Sequence, residues 1–99
     1  MTKNDKIKAM REIVRDLGKT LKWEYNGQWH ERKVVRVTTD EVCEDYAYTE
    51  VEFTDNGKLE ITDYDCEGTG CGDYADRCLE SEIDKVYNKM LDLAAYENA

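Results

Sequence analysis

An Asn26-Gly27 pair separates LKWEY from QWHERKVVRV, and Asp55-Asn56-Gly57 separates YAYTEVEFT from KLEIT. Asn-Gly is the strongest short hairpin signal, because a type I′ turn needs positive φ at both central residues and its twist matches that of paired strands. Two such turns between β-rich runs constrain this chain more than any other feature: they demand antiparallel strands with tight connections. Leu21, Trp23 and Tyr25 alternate in the first run. In the third, Ala47, Thr49, Val51 and Phe53 alternate against Tyr46, Tyr48, Glu50 and Glu52; in the fourth, Leu59 and Ile61 alternate against Glu60 and Thr62. The expectation is a four-stranded antiparallel meander with strands near 20–26, 28–39, 46–54 and 58–64, apolar on one face and polar on the other.

Helical spacing brackets these runs. Ile7, Met10, Ile13, Val14 and Leu17 share one face of a helix over about 4–18, with Asn4 or Asp5 as its cap and Gly18 as its stop. Leu79, Ile83, Val86, Tyr87, Met90, Leu93 and Ala94 mark a second helix near 76–96. Both helices are expected to cover the apolar sheet face, giving a two-layer α+β domain of order α-β-β-β-β-α. The 99 residues suffice for one modest core and are read as a single domain, 1–99, with no proline and no linker-like stretch to break it. No apolar run is long enough to span a membrane and no leader pattern is present, so the expected compartment is the cytoplasm, that of a bacterial host if a phage or mobile element encodes the chain.

The net charge of −9 is unevenly spread. Residues 1–39 hold ten basic against five acidic side chains, whereas residues 40–84 hold sixteen acids against only Lys58 and Arg77. An acidic half of this density repels phosphates, which argues against direct nucleic-acid binding and for a basic partner. Solubility alone is the competing explanation.

The stretch DYDCEGTGCGDYADRC, residues 63–78, holds the most informative chemistry. Asp63, Asp65, Glu67 and Gly68 resemble the first half of a calcium loop, but its twelfth position is Tyr74, which supplies no bidentate carboxylate. Zinc has the better topological case. In an up-and-down meander, the turn holding Cys43 lies at the end where the fourth strand finishes, just before Cys66. Cys71 follows across a glycine-rich loop, and Cys78 opens the second helix from that same end. Cys43, Cys66, Cys71 and Cys78 are thus expected to meet in a closed, structural Cys₄ zinc site. Reduced buried thiols, calcium or two disulfides are the alternatives. His30 is a poor ligand candidate because it belongs to the Asn26-Gly27 end.

Nothing in the chain marks an enzyme. There is one histidine and one serine, Ser81, with no glycine-flanked nucleophile turn and no C-x-x-C pair. The glycines near residue 70 sit among Glu67, Asp73 and Asp76, unlike a phosphate-cradling loop.

With Val51 and Phe53 inward, Tyr46, Tyr48, Glu50 and Glu52 are expected to face solvent, joined by Glu60, Thr62 and Tyr64. Asp65, Glu67, Asp73 and Asp76 would continue the charge around the loop end. Tyrosines among carboxylates suit a protein interface, since tyrosine offers contact area at low entropy cost and acids steer a basic partner. In this combination of small size, acidity and absent catalytic residues, the chain resembles the phage- and mobile-element-encoded inhibitors of bacterial defence, anti-CRISPR proteins in particular. The resemblance implies binding to a nucleic-acid-handling effector such as a Cas9-type nuclease, and a block on guide or target loading. The alternative is a zinc-stabilised binding or scaffold module whose partner is unrelated to nucleic acid.

Overall fold

A computed structural model describes residues 1–38, 48–65 and 68–97. The order of elements is α1 (Lys3–Leu17), β1 (Lys19–Tyr25), β2 (Gln28–Val37), β3 (Tyr48–Phe53), β4 (Leu59–Tyr64), β5 (Gly70–Tyr74), a single 3₁₀ turn (Ala75–Arg77) and α2 (Glu80–Glu97). The strands form one antiparallel sheet in the order β1-β2-β3-β4-β5. The α+β architecture and the two helices agree with the sequence pattern. The strand count does not: the described residues form five strands, and the expected glycine loop is largely β5.

β5 reads GCGDY, with two glycines and no β-branched residue, so propensity hides it. Neighbouring side chains explain why it nevertheless pairs. A Cβ on Gly70 would stand 2.6 Å from the Tyr64 ring, and one on Gly72 would stand 2.5 Å from Thr62 Oγ1. Both glycines leave space for β4 side chains to fold across the strand. The connection from β4 is closed by Asp65, whose amide donates to Thr69 O at 3.0 Å while its Oδ1 accepts from the Thr69 amide at 2.9 Å.

The β1–β2 connection is the two-residue turn foreseen, with Asn26 at φ 51° and Gly27 at φ 76°. The register runs from Tyr25 opposite Gln28 to Lys19 opposite Val34. β3 joins β2 only from Val34 (opposite Glu52) to Val37 (opposite Thr49), so the far half of the β1–β2 hairpin projects beyond β3.

Helix α1 begins two to three residues earlier than the Asn4 or Asp5 cap implied. Thr2 is the cap, in a reciprocal box with Asp5: the Asp5 amide donates to Thr2 Oγ1 at 3.2 Å, and the Thr2 amide donates to Asp5 Oδ2 at 3.1 Å. That backbone hydrogen bond from Thr2 holds the Asp5 carboxyl below its usual pKa. At the other end, a Cβ on Gly18 would lie 2.4 Å from Val14 O and 2.6 Å from the Lys33 side chain. Gly18 therefore serves a close approach between helix end and sheet, at an ordinary φ of −64°.

Helix α2 starts at Glu80 rather than residue 76, because β5 and the 3₁₀ turn consume the intervening chain. Both helices lie on one sheet face. Met10 and Val14 from α1 and Ile83, Val86 and Met90 from α2 close over Val35, Val37, Val51, Leu59 and Ile61. Each such side chain contributes about 1.5–3 kcal/mol by leaving water. The helix starts adjoin: Lys3 Nζ donates to Cys78 O at 3.0 Å and to Asp76 O at 3.3 Å, and Lys6 pairs with Asp84. Among the described residues, no helix is long and apolar enough to cross a membrane.

Candidate interaction surface

The pleat assigns residues to the sheet's second face, on which no helix packs among the described residues. Tyr48, Glu50 and Glu52 of β3 lie there, beside Glu60, Thr62 and Tyr64 of β4, to which they are directly paired. Arg36 and Val34 of β2 stand opposite Glu50 and Glu52 on the other side. Thr49, Val51 and Phe53 take the helix-covered face, as alternation requires. Tyr46 lies outside the described residues.

The face assignment is the expected one, but the exposure is not. Glu50 is 2% exposed and Glu52 8% exposed, although no helix covers them. Arginines on β2 fold over them instead. Arg32 Nη1 donates to both carboxylate oxygens of Glu52 at 3.0 Å, and its Nη2 lies 2.9 Å from Glu50 Oε1. Arg36 Nε donates to Glu50 Oε2 at 3.1 Å. Glu50 Oε1 accepts no aligned hydrogen bond despite its short distance to Arg32, so charge rather than geometry pairs that oxygen. Burial works against the charge of Arg32, but Glu52, Glu50 and Tyr64 outweigh it and raise its pKa. Burial dominates at Glu52 and raises its carboxyl above the usual value, with Arg32 acting in the opposite direction.

Aromatic rings flank this ion network. The Arg36 guanidinium sits 4.9 Å from the Tyr48 ring centre, Tyr48 stacks on Tyr64 at 4.8 Å, and Arg32 lies 5.9 Å from the Trp23 ring. These are cation–π distances, at which a guanidinium gains from the ring face while shielding the carboxylates beneath. Glu50 and Glu52 are thus neutralised within the chain and present no acidic surface. Alternation assigned the right face; the arginines of the neighbouring strand could be matched to it only through the register.

The acidic character lies elsewhere, at the β4–β5 edge and the start of α2. Asp63, Asp65, Asp73, Asp76, Glu80 and Glu82 are all exposed there. Asp63 accepts from Thr49 Oγ1 at 2.7 Å, and Asp73 is 3.9 Å from Arg77. Arg77 and Lys58 also approach the Tyr74 ring, at 5.0 and 5.1 Å. Glu67 lies outside the described residues.

Cys43 and Cys66 also lie outside the described residues. Cys71 is exposed on β5 opposite Asp63; Cys78 is buried. Both border a hollow of about 360 Å³ with Asp63, Asp73, Glu82 and Lys85. Cys78 does not open a helix rising from the loop, as the sequence suggested: it precedes α2 by two residues, and its thiol donates to Tyr74 O at 3.5 Å. Burial raises that thiol's pKa, helped by Glu82 and Asp73. Among the described residues, no group of three or more His, Cys, Asp or Glu side chains is arranged to hold a metal ion, whether zinc or calcium.

What sequence reasoning missed is aromatic. Trp23, Tyr25 and Trp29 are 43, 66 and 74% exposed on the projecting hairpin. The alternation of Leu21, Trp23 and Tyr25 signalled a buried strand face, but the register with β2 sets these residues on the helix-free face. His30 stacks on Trp23 at 5.5 Å, near the turn where it was expected.

No protein-family model, no curated protein and no solved structure matches this chain.

Proposed function

We propose that this chain is a small non-enzymatic binding protein that docks on a basic surface of a nucleic-acid-handling effector and inhibits it, in the manner of anti-CRISPR proteins. One observation supports the reading above others: the molecule neutralises Glu50 and Glu52 of the sheet face internally and leaves the carboxylates of the β4–β5 edge and α2 start at its surface. Residues 63–84 carry eight carboxylates against Arg77 alone. Such a patch raises the encounter rate with a basic groove and competes there with phosphate. Asp63, Asp65, Asp73 and Asp76 are the proposed contact residues, with Tyr64 and Tyr74 beside them. The Cys₄ zinc clamp is retained as a second part of the proposal, because Cys71 and Cys78 border one hollow and the other two cysteines lie beyond the described residues.

The test is competition. Protein in excess over a Cas9-type nuclease is expected to reduce guide or target binding, with an association rate that falls steeply as salt rises. Asp73→Lys with Asp76→Lys should weaken that inhibition while leaving the circular dichroism spectrum unchanged, since both side chains are exposed. Binding that is insensitive to salt and to this double reversal favours the scaffold reading, for which the exposed Trp23, Tyr25 and Trp29 provide an apolar docking site. Absence of any effect on the nuclease rejects that target.

A further inference from the structure

β1 is an edge strand of seven residues, and among the described residues nothing pairs with its outer side. A long edge bearing exposed aromatic side chains is a template for another strand. The β5 edge differs: it is shorter, holds two glycines and carries the acidic Asp73.

Which backbone groups face outward follows from the turn. In a two-residue hairpin the carbonyl before the turn accepts from the amide after it, so Tyr25 bonds inward to Gln28. Antiparallel pairing alternates, so Trp23 and Leu21 also bond inward to β2. Thr20, Lys22 and Glu24 therefore turn their amides and carbonyls to the open edge. Any antiparallel partner must pair with these residues, which removes every second register.

Of the symmetric registers that remain, charge selects one. Centred on Lys22, the strand would set Lys22 against its own copy. Centred on Trp23, it sets Lys22 opposite Glu24, Glu24 opposite Lys22, and Leu21 opposite Tyr25, with the two Trp23 side chains adjacent. Leu21, Trp23 and Tyr25 share the helix-free face, so the apolar side chains of both copies would meet there, while both ion pairs form on the other face. A lysine on an edge ordinarily blocks strand addition; here Glu24, two residues on, supplies its counter-charge in the second copy.

We propose that β1 pairs antiparallel with β1 of a second copy about a two-fold axis at Trp23, joining two five-stranded sheets and leaving an acidic β5 edge at each outer end. An isologous contact of this kind closes as a dimer and cannot propagate, because each β1 edge is consumed.

Sedimentation velocity over a wide concentration range tests this. The expected result is reversible dimerisation of the unaltered chain. Lys22→Glu alone, or Glu24→Lys alone, should weaken the dimer by roughly tenfold, through two like-charge cross-strand contacts. An equimolar mixture of the two variants should associate again, as a heterodimer in which both contacts are attractive. The chain carrying both substitutions should also dimerise like the original. Circular dichroism controls for folding, and both sites are exposed. A monomer at all concentrations overturns the proposal. So does a dimer indifferent to Lys22→Glu, or a mixture of variants that fails to reassociate.

Discussion

Replacing Arg32 with methionine would expose the energetic logic of the helix-free sheet face. Arg32 is the cation shared by Glu50 and Glu52, whose side chains are only 2% and 10% exposed. Removing one partner from a buried pair costs about 3–5 kcal/mol, because the remaining charge stays desolvated. Arg32 itself is 35% exposed and Arg36 still reaches Glu50, so screening and the surviving pair reduce the expected loss to about 2–3 kcal/mol. Methionine keeps the length and apolar bulk of the side chain, which isolates the charge. Against a total stability of about 5–15 kcal/mol for a small domain, the loss would lower Tm by roughly 8–20 °C.

The diagnostic is its pH dependence. Without Arg32, which opposes the effect of burial, the Glu52 carboxyl should be still harder to ionise in the folded state relative to the unfolded chain. Between those two pKa values the folded state then holds more protons, so the variant gains stability relative to the original chain as pH falls. Urea unfolding at pH 7 and near pH 4.5 should show the deficit shrinking on acidification. A loss below about 0.5 kcal/mol at pH 7, or one unchanged by pH, would mean that water already solvates these carboxylates, and the account of their burial would fail.

Glu52→Gln should change stability by less than about 1 kcal/mol at pH 7, since it removes the group that burial disfavours and leaves Arg32 paired with Glu50. The original Glu52 titrates above its usual value, so its contribution falls as pH rises through the window above 4.5; any advantage of glutamine should vanish below it. Gly70→Ala should cost about 1–3 kcal/mol by driving a methyl into the Tyr64 ring, and a thermal melt at the original Tm would refute that packing. Native alkylation followed by mass spectrometry should modify exposed Cys71 well before buried Cys78, whose thiol pKa is raised, with the difference lost on denaturation. Elemental mass spectrometry on untagged protein should find about one zinc per chain and four thiols released on unfolding if the Cys₄ clamp forms; metal-free protein with four free thiols would discard it.

Pattern and turn chemistry made much of this fold legible. Asn26-Gly27 and Asp55-Asn56-Gly57 specified two hairpins because few other residues tolerate positive φ, and both turns are found. Period-two alternation assigned Glu50 and Val51 to opposite faces because the pleat leaves no other choice. Spacing of Ile83, Val86 and Met90 marked the buried side of α2. The sequence also carried the charge asymmetry between residues 1–39 and 40–84, which no fold could remove.

The remainder required contacts between distant residues. β5 is invisible locally because glycine has no strand preference; only the proximity of Tyr64 and Thr62 explains its two glycines. Alternation could place Glu50 and Glu52 on the helix-free face, but their burial depends on Arg32 and Arg36, which the β2–β3 register brings across from another strand. Conversely, Trp23 and Tyr25 look like core and stand in solvent, because the register turns them to the helix-free face and β3 stops short of them. Local sequence determines which way a side chain points, through backbone geometry that repeats every two or 3.6 residues. Whether water remains at that position is decided by what the rest of the chain lays over it.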